Sequence, residues 1–187
     1  MINPAKDTGM VPPLVAHDGQ VQRAFETGSF HLTPLQILHV EDDPDDAFFF
    51  ERAIKNAKLE CELHLEINGE KAVEYLSKAG IEGHSSSHPI PHLMVLDLKL
   101  PGLSGFEVLS WARGQKALKT LPIVVLSGSS LKEDKSTASA LGASDFIVKQ
   151  SDFDQIVEQV VQFISKNGLA RASARRESNV PKQPQLQ

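Results

Sequence analysis

Leu93-Met94-Val95-Leu96-Asp97 is the stretch on which the fold turns: four apolar residues in a row, stopped by a carboxylate. An unbroken apolar run of that length fits a central parallel strand buried on both faces, not a strand with one face in water. Working outward, the same grammar recurs. Leu35 to Val40 runs abruptly into Glu41-Asp42-Asp43, Ile123 to Leu126 into Ser127, and Phe146-Ile147-Val148 into Lys149. Cys61 to Ile67 alternates apolar with acidic or polar residues, as a strand covered unevenly on its two faces would.

Helical patterns separate these runs. Ala47, Phe50, Ala53, Ile54 and Ala57 keep helical spacing over 47–57, and Ala72, Val73, Tyr75, Leu76 and Ala79 predict a second helix ending near Gly80. Ser104 with Glu107 fits a capping box opening a third helix, and Leu131 to Leu141 is a polar fourth helix ending at Gly142. Ser151 with Asp154 predicts the cap of a last helix, whose apolar stripe is Phe153, Ile156, Val157, Val160 and Ile164. Parallel neighbours need crossover connections, so alternating strands and helices imply helices on both faces of one sheet. The expected fold is α/β: a flavodoxin-like, doubly wound five-stranded parallel sheet of order 2-1-3-4-5 with right-handed crossovers.

Ligands of such sheets bind beyond the carboxyl ends of the strands. There the sequence places Glu41, Asp42 and Asp43, then Asp97, Ser127 and Lys149. Carboxylates sharing a cleft repel one another and call for a cation, and hard oxygen ligands suit Mg²⁺. A hydroxyl and an ammonium opposite them would receive the oxygens of a phosphoryl group. Together these groups describe phosphoryl transfer with an aspartate nucleophile.

Four signatures stand in order at four strand ends: Val40-Glu41-Asp42-Asp43, Leu96-Asp97-Leu98-Lys99-Leu100-Pro101-Gly102, Leu126-Ser127-Gly128 and Phe146-Ile147-Val148-Lys149. Over Leu35 to Gly168 the chain thereby resembles the CheY-like receiver domains of response regulators. The resemblance implies that Asp97 is the phosphoacceptor. It implies that Glu41 and Asp42 hold Mg²⁺ directly or through water, with Asp97 and the backbone carbonyl of Lys99 as further ligands. Ser127 would bond a phosphoryl oxygen and Lys149 would pair with the phosphoryl group. Phe146 matches the family's switch aromatic, which turns inward when Ser127 moves toward the phosphate. Gln150 replaces the proline usual after the lysine, so no cis peptide is expected there. The sequences it resembles most are small regulators that pair with phytochrome-type histidine kinases.

The implied function is a phosphorylation-controlled interaction module and not an enzyme. A sensor histidine kinase would donate to Asp97 and shift an equilibrium between two surface states. The stretch after Gly168 is too short for a helix-turn-helix unit, so output is expected through an unidentified downstream protein, a homodimer or a phosphorelay. Phe48-Phe49-Phe50 is too wide for one helix face; Phe50 suits the core, and the first helix is expected in a kinase-docking surface. Two rival readings remain. Asp43-Pro44-Asp45-Asp46-Ala47 is a near miss to the motif of haloacid-dehalogenase-type phosphohydrolases, with Asp43 as nucleophile, but it leaves Asp97 without a role. A degenerate receiver that binds partners without phosphorylation would not need the intact set at 41, 42, 97, 127 and 149.

A length of 187 residues allows one ordinary domain with tails: a flexible extension over 1–33, the receiver over 34–168 and a disordered, mildly basic tail over 169–187. The net charge of -5 argues against nucleic acid as a partner. No apolar run reaches membrane length, and no secretory layout opens the chain. Cys61 is alone, which excludes an internal disulfide and makes the cytoplasm the expected compartment.

Several residues have plainer readings. Asp45 and Asp46 could add metal ligands, but more plainly they suit the positive end of the first helix. His84, His88 and His92 recur every four residues in the Gly80–His92 loop, but Pro89 and Pro91 exclude a helix, so a solvated loop is expected there, not zinc. Cys61 is expected as a small core residue and Trp111 as packing of the third helix. Val161 and Phe163 widen the last helix's stripe, either as core or as a contact surface.

Overall fold

Every residue of β1 (Leu35–Val40), β3 (Leu93–Leu96) and β4 (Ile123–Ser127) is buried. The apolar runs therefore form the middle of the sheet. β2 (Cys61–Glu66) and β5 (Asp145–Val148) close its edges and show mixed exposure. All pairings are parallel and the order is β2-β1-β3-β4-β5, as expected. This computed structural model describes residues 34–80 and 88–169; the readings made for 1–33, for His84 and for the C-terminal tail beyond 169 lie outside the described residues.

Successive strand side chains point to opposite faces, so the sheet has two cores. Leu38, Val40, Met94 and Leu96 pack with Ala72, Tyr75 and Leu76 of α2 (Gly69–Gly80) and with Val108, Leu109 and Ala112 of α3 (Gly105–Gly114). Leu35, Ile37, Leu93 and Val95 face the other way. They meet Phe50, Ala53 and Ile54 of α1 (Pro44–Asn56) and the stripe Ile156, Val157, Val160 and Ile164 of α5 (Phe153–Lys166). α4 (Lys132–Ala140) is exposed and buries only Ala138. No helix among the described residues is long and apolar enough to cross a membrane.

The helix starts depart instructively from their expected places. α1 begins at Pro44, ahead of its apolar pattern, because the Asp43 carboxylate accepts from the amides of Asp45 and Asp46 at 2.8 and 3.2 Å. Proline loses nothing at that first position, since its missing N–H would have been unpaired. The expected Ser151–Asp154 box is wrong. Asp152 caps α5, accepting from the amides of Asp154 and Gln155. The Ser104–Glu107 box is present in full. A 3₁₀ turn at Lys116–Leu118 is too short to leave a period in the sequence.

Side chains sort in the same physical way. Phe50 is fully buried, whereas Phe48 is 58% and Phe49 36% exposed. Trp111 flanks the first core; Cys61, Val161 and Phe163 flank the second. His92 corrects the solvated-loop reading: it is buried, and its Nδ1 accepts from the Gln36 amide at 3.0 Å.

One glycine sets the distance between a helix and the end of β3. A Cβ on Gly105 would overlap the carbonyl oxygen of Asp97 and lie 2.7 Å from Leu98 Cα, both backbone atoms that cannot swing aside. Only glycine lets α3 start this close. Gly105→Ala should therefore destabilise the chain by about 1–3 kcal/mol, the usual range for overpacking. Urea titration should show a lower midpoint with little change in slope.

Candidate functional site

The β1–β3 pairing places two acidic strand ends side by side. The Asp97 amide donates to the Val40 carbonyl at 3.0 Å, so Asp97 stands next to Glu41. The Glu41 amide donates to Glu66 O at 3.0 Å, continuing the sheet one residue further. On the other side, the Lys149 amide donates to the Ser127 carbonyl at 2.8 Å, which carries the lysine to the same end. The four signature positions of the sequence thus converge.

At their centre lies the Lys149 ammonium. Nζ donates to Glu41 Oε2 at 2.6 Å, to Asp97 Oδ2 at 2.6 Å and to Asp46 Oδ2 at 2.9 Å. The other Asp97 oxygen, Oδ1, accepts from the Lys99 amide at 2.8 Å. Both carboxylate oxygens are thereby oriented, one by backbone and one by charge. Ser127 is fully buried at the end of β4, with Oγ accepting from the Ser129 amide at 3.2 Å. Phe146 is half-buried against the first core, paired in register with Val125.

Electrostatics in this cleft are unbalanced. Burial pushes the Glu41 carboxyl up to about 7, against the pull of the Lys149 ammonium. Burial would lower the pKa of Lys149, but its bonds to Asp97, Glu41 and Asp46 together outweigh that and raise it. One cation faces more anions than it can neutralise. Carboxylate oxygens of Glu41, Asp42 and Asp97 all lie within 4.8 Å of one another. Glu41 and Asp97 are buried while Asp42 is exposed, which leaves the cluster open to solvent on one side. Three hard donors with surplus negative charge fit a divalent cation of the Mg²⁺ type.

Asp43 does not join them. Its carboxylate is spent on the α1 cap, and its side chain is exposed. The phosphohydrolase reading, which made Asp43 the nucleophile, loses its geometry. Two participants were missed from sequence. Asp46, which the sequence offers as a helix-end charge or a further metal ligand, instead bonds Lys149. His39 was not singled out at all, although a histidine inside an apolar strand two residues before a carboxylate is a visible signal. It is buried, stacked on Phe50 with centroids 4.3 Å apart, and 4.0 Å from Glu41 Oε2, with no hydrogen-bond partner at either ring nitrogen.

Comparison with known proteins decides the family. The response regulator receiver domain matches residues 37–161, well over half of the chain. The chain belongs to the response regulator receiver domain family. The response regulator Rcp1 of Synechocystis sp. is 29% identical over 127 residues, covering 68% of this chain and 84% of that protein. Among solved structures, the phosphorylated cyanobacterial phytochrome response regulator RcpA is 29% identical with a TM-score of 0.62, covering 71% of this chain and 93% of its own. The Mn²⁺-bound form of Rcp1 is 29% identical with a TM-score of 0.60, covering 73% and 95%. This is a receiver of the two-component type, with an acidic pocket and an adjacent lysine, and not a classical enzyme.

The receiver's buried histidine supplies a pH signature. Burial, helped by the Lys149 charge, lowers His39 from 6.5 to about 3, so the folded chain keeps it neutral. The unfolded chain takes up a proton below about 6.5. Stability from this residue is therefore complete above that pH and is lost as pH falls toward 3. Glu41, raised in the fold, contributes with the opposite sign, gaining stability as pH falls from about 7 toward 4.5. Comparing the natural chain with His39→Leu cancels that term. In metal-free buffer, lowering pH from 7 to 5 should cost the natural chain about 1–2 kcal/mol more than the variant, read from urea midpoints.

Proposed function

We propose that this receiver takes a phosphoryl group on Asp97 from a sensor histidine kinase of the phytochrome type, in a reaction that needs Mg²⁺. The observation that carries this reading is the Lys149 ammonium bridging Asp97 and Glu41, at the edge of three carboxylates within 4.8 Å. The relatives support it by their own states: RcpA has been seen phosphorylated and Rcp1 with Mn²⁺.

In the proposed reaction, a carboxylate oxygen of Asp97 attacks phosphorus. The bond between phosphorus and the donor's imidazole nitrogen breaks, and the imidazole keeps the electron pair and takes up a proton. Glu41, Asp42, Asp97 and the Lys99 carbonyl would hold Mg²⁺, which when bound offsets charge building on the phosphoryl oxygens. The Lys99 amide keeps Oδ1 of the nucleophile pointed while the other oxygen reacts. Lys149 exchanges a carboxylate partner for a phosphoryl oxygen, and the Ser127 hydroxyl bonds another. Movement of Ser127 vacates space beside β5, and Phe146, already half-buried there, turns inward as the switch.

The kinase would dock where α1 meets α5. Exposed Phe49 stacks on Phe153 at 5.8 Å and carries the Arg52 guanidinium 5.0 Å above its ring, while the more exposed Phe48 meets Phe49 edge-on at 5.6 Å. Downstream, a partner protein or a second copy of the chain would read the changed surface. Residues 34–168 form the receiver unit in this reading, and the free Cys61 thiol suits the reducing cytoplasm.

Intact mass spectrometry after incubation with a small phosphodonor tests the proposal. The natural chain with Mg²⁺ should gain one phosphoryl adduct, and the adduct should vanish in Asp97→Asn and on chelating the metal. An unmodified natural chain would mean a phosphorylation-independent module, and an adduct persisting in Asp97→Asn would place the acceptor elsewhere.

A further inference from the structure

The reaction outlined above gives no part to Asp46, yet the structure ties it to the centre. Asp46 sits in the first turn of α1 and accepts from the Lys149 ammonium at 2.9 Å, across 103 residues of sequence. The contact is sheltered: the lysine side chain is 13% and the aspartate side chain 32% exposed. Asp46 is itself held, because its amide donates to the Asp43 cap at 3.2 Å.

An ammonium has three N–H donors, and Lys149 spends them on Glu41, Asp46 and Asp97. Two of those partners have other obligations. Oxygens of Glu41 and Asp97 belong to the group that converges for a cation, and Asp97 is also the acceptor. Asp46 is outside that converging group. When Glu41 and Asp97 turn to a metal and one lysine donor turns to a phosphoryl oxygen, Asp46 is the carboxylate left to keep the ammonium in place. Lysine is a point charge on a four-carbon stem, so its position at the site depends on such anchors.

We propose that Asp46 is a positioning residue. It anchors Lys149 beside Asp97 through metal loading and phosphoryl arrival, and so sets the rate of Asp97 phosphorylation without ligating the metal. The inference rests on the reading that Lys149 meets the phosphoryl group.

A double-mutant cycle on the full chain tests it, with phosphorylation by a small phosphodonor at saturating Mg²⁺ and Mg²⁺ affinity by calorimetry. Asp46→Asn should slow phosphorylation roughly three- to tenfold, the range for losing one partly screened, charge-assisted hydrogen bond. Asp46→Glu should recover most of the rate. Mg²⁺ affinity should stay within roughly threefold, because a charge beside the site is changed but no ligand is removed. In a Lys149→Met background, Asp46→Asn should slow nothing further. Equal slowing in both backgrounds would overturn the proposal, since Asp46 would then act through α1 and not through Lys149. So would a loss of Mg²⁺ affinity with an unchanged saturated rate, which would make Asp46 a ligand. An unchanged rate in Asp46→Asn, with the natural chain phosphorylated and Lys149→Met impaired, would overturn the anchor alone. A Lys149→Met rate equal to that of the natural chain would remove the underlying role of the lysine, and the anchor with it.

Discussion

The Lys149 ammonium, held among carboxylates from three different elements, is the interaction on which the rest depends. Glu41 follows β1, Asp46 lies in the first turn of α1 and Asp97 follows β3, while the lysine itself follows β5. Buried charges are tolerated only when paired and hydrogen-bonded, and removing one partner from such a set strands the others. The site therefore acts as a fastener between the two halves of the sheet. Its stability and its chemistry come from the same contacts, because a cation or a phosphoryl group must compete for oxygens and donors that already hold the fold together.

The fold makes that competition possible. Backbone hydrogen bonds of three buried strands fix the main-chain positions from which Glu41, Asp97 and Ser127 extend. Gly105 draws α3 against the Asp97 carbonyl and leaves no slack behind that residue. The lysine is the mobile member by nature: a long stem with several acceptors in reach. Change at this site can thus begin with where one ammonium goes, while the strands beneath it stay put.

Much of this was legible in the sequence, for a physical reason. Parallel strands buried mostly on both faces are mostly apolar, so their ends are marked where a charge or hydroxyl begins. Glu41, Asp97, Ser127 and Lys149 announce themselves in this way, and the sheet order brings them together. Features set by local competition were harder to read. Ser151 and Asp152 are both good capping residues one step apart, and only the backbone geometry awards the cap to Asp152. His92 looked solvated among prolines and serines because nothing local reveals that the Gln36 amide needs an acceptor. Asp46 has a sufficient local explanation at a helix start, and that explanation hid its contact with a residue 103 positions away.

The exposure of the strands divides the site into parts of different durability. Buried central strands open only with much of the structure, whereas edge strands open more readily. Glu41 and Asp97 hang from β1 and β3, deep in the slow interior, but Lys149 follows β5, an edge strand with mixed exposure. Any opening of that edge would carry the positive charge away from carboxylates that stay on the central strands, so the three bonds of Lys149 also pin the sheet's outermost strand to its middle.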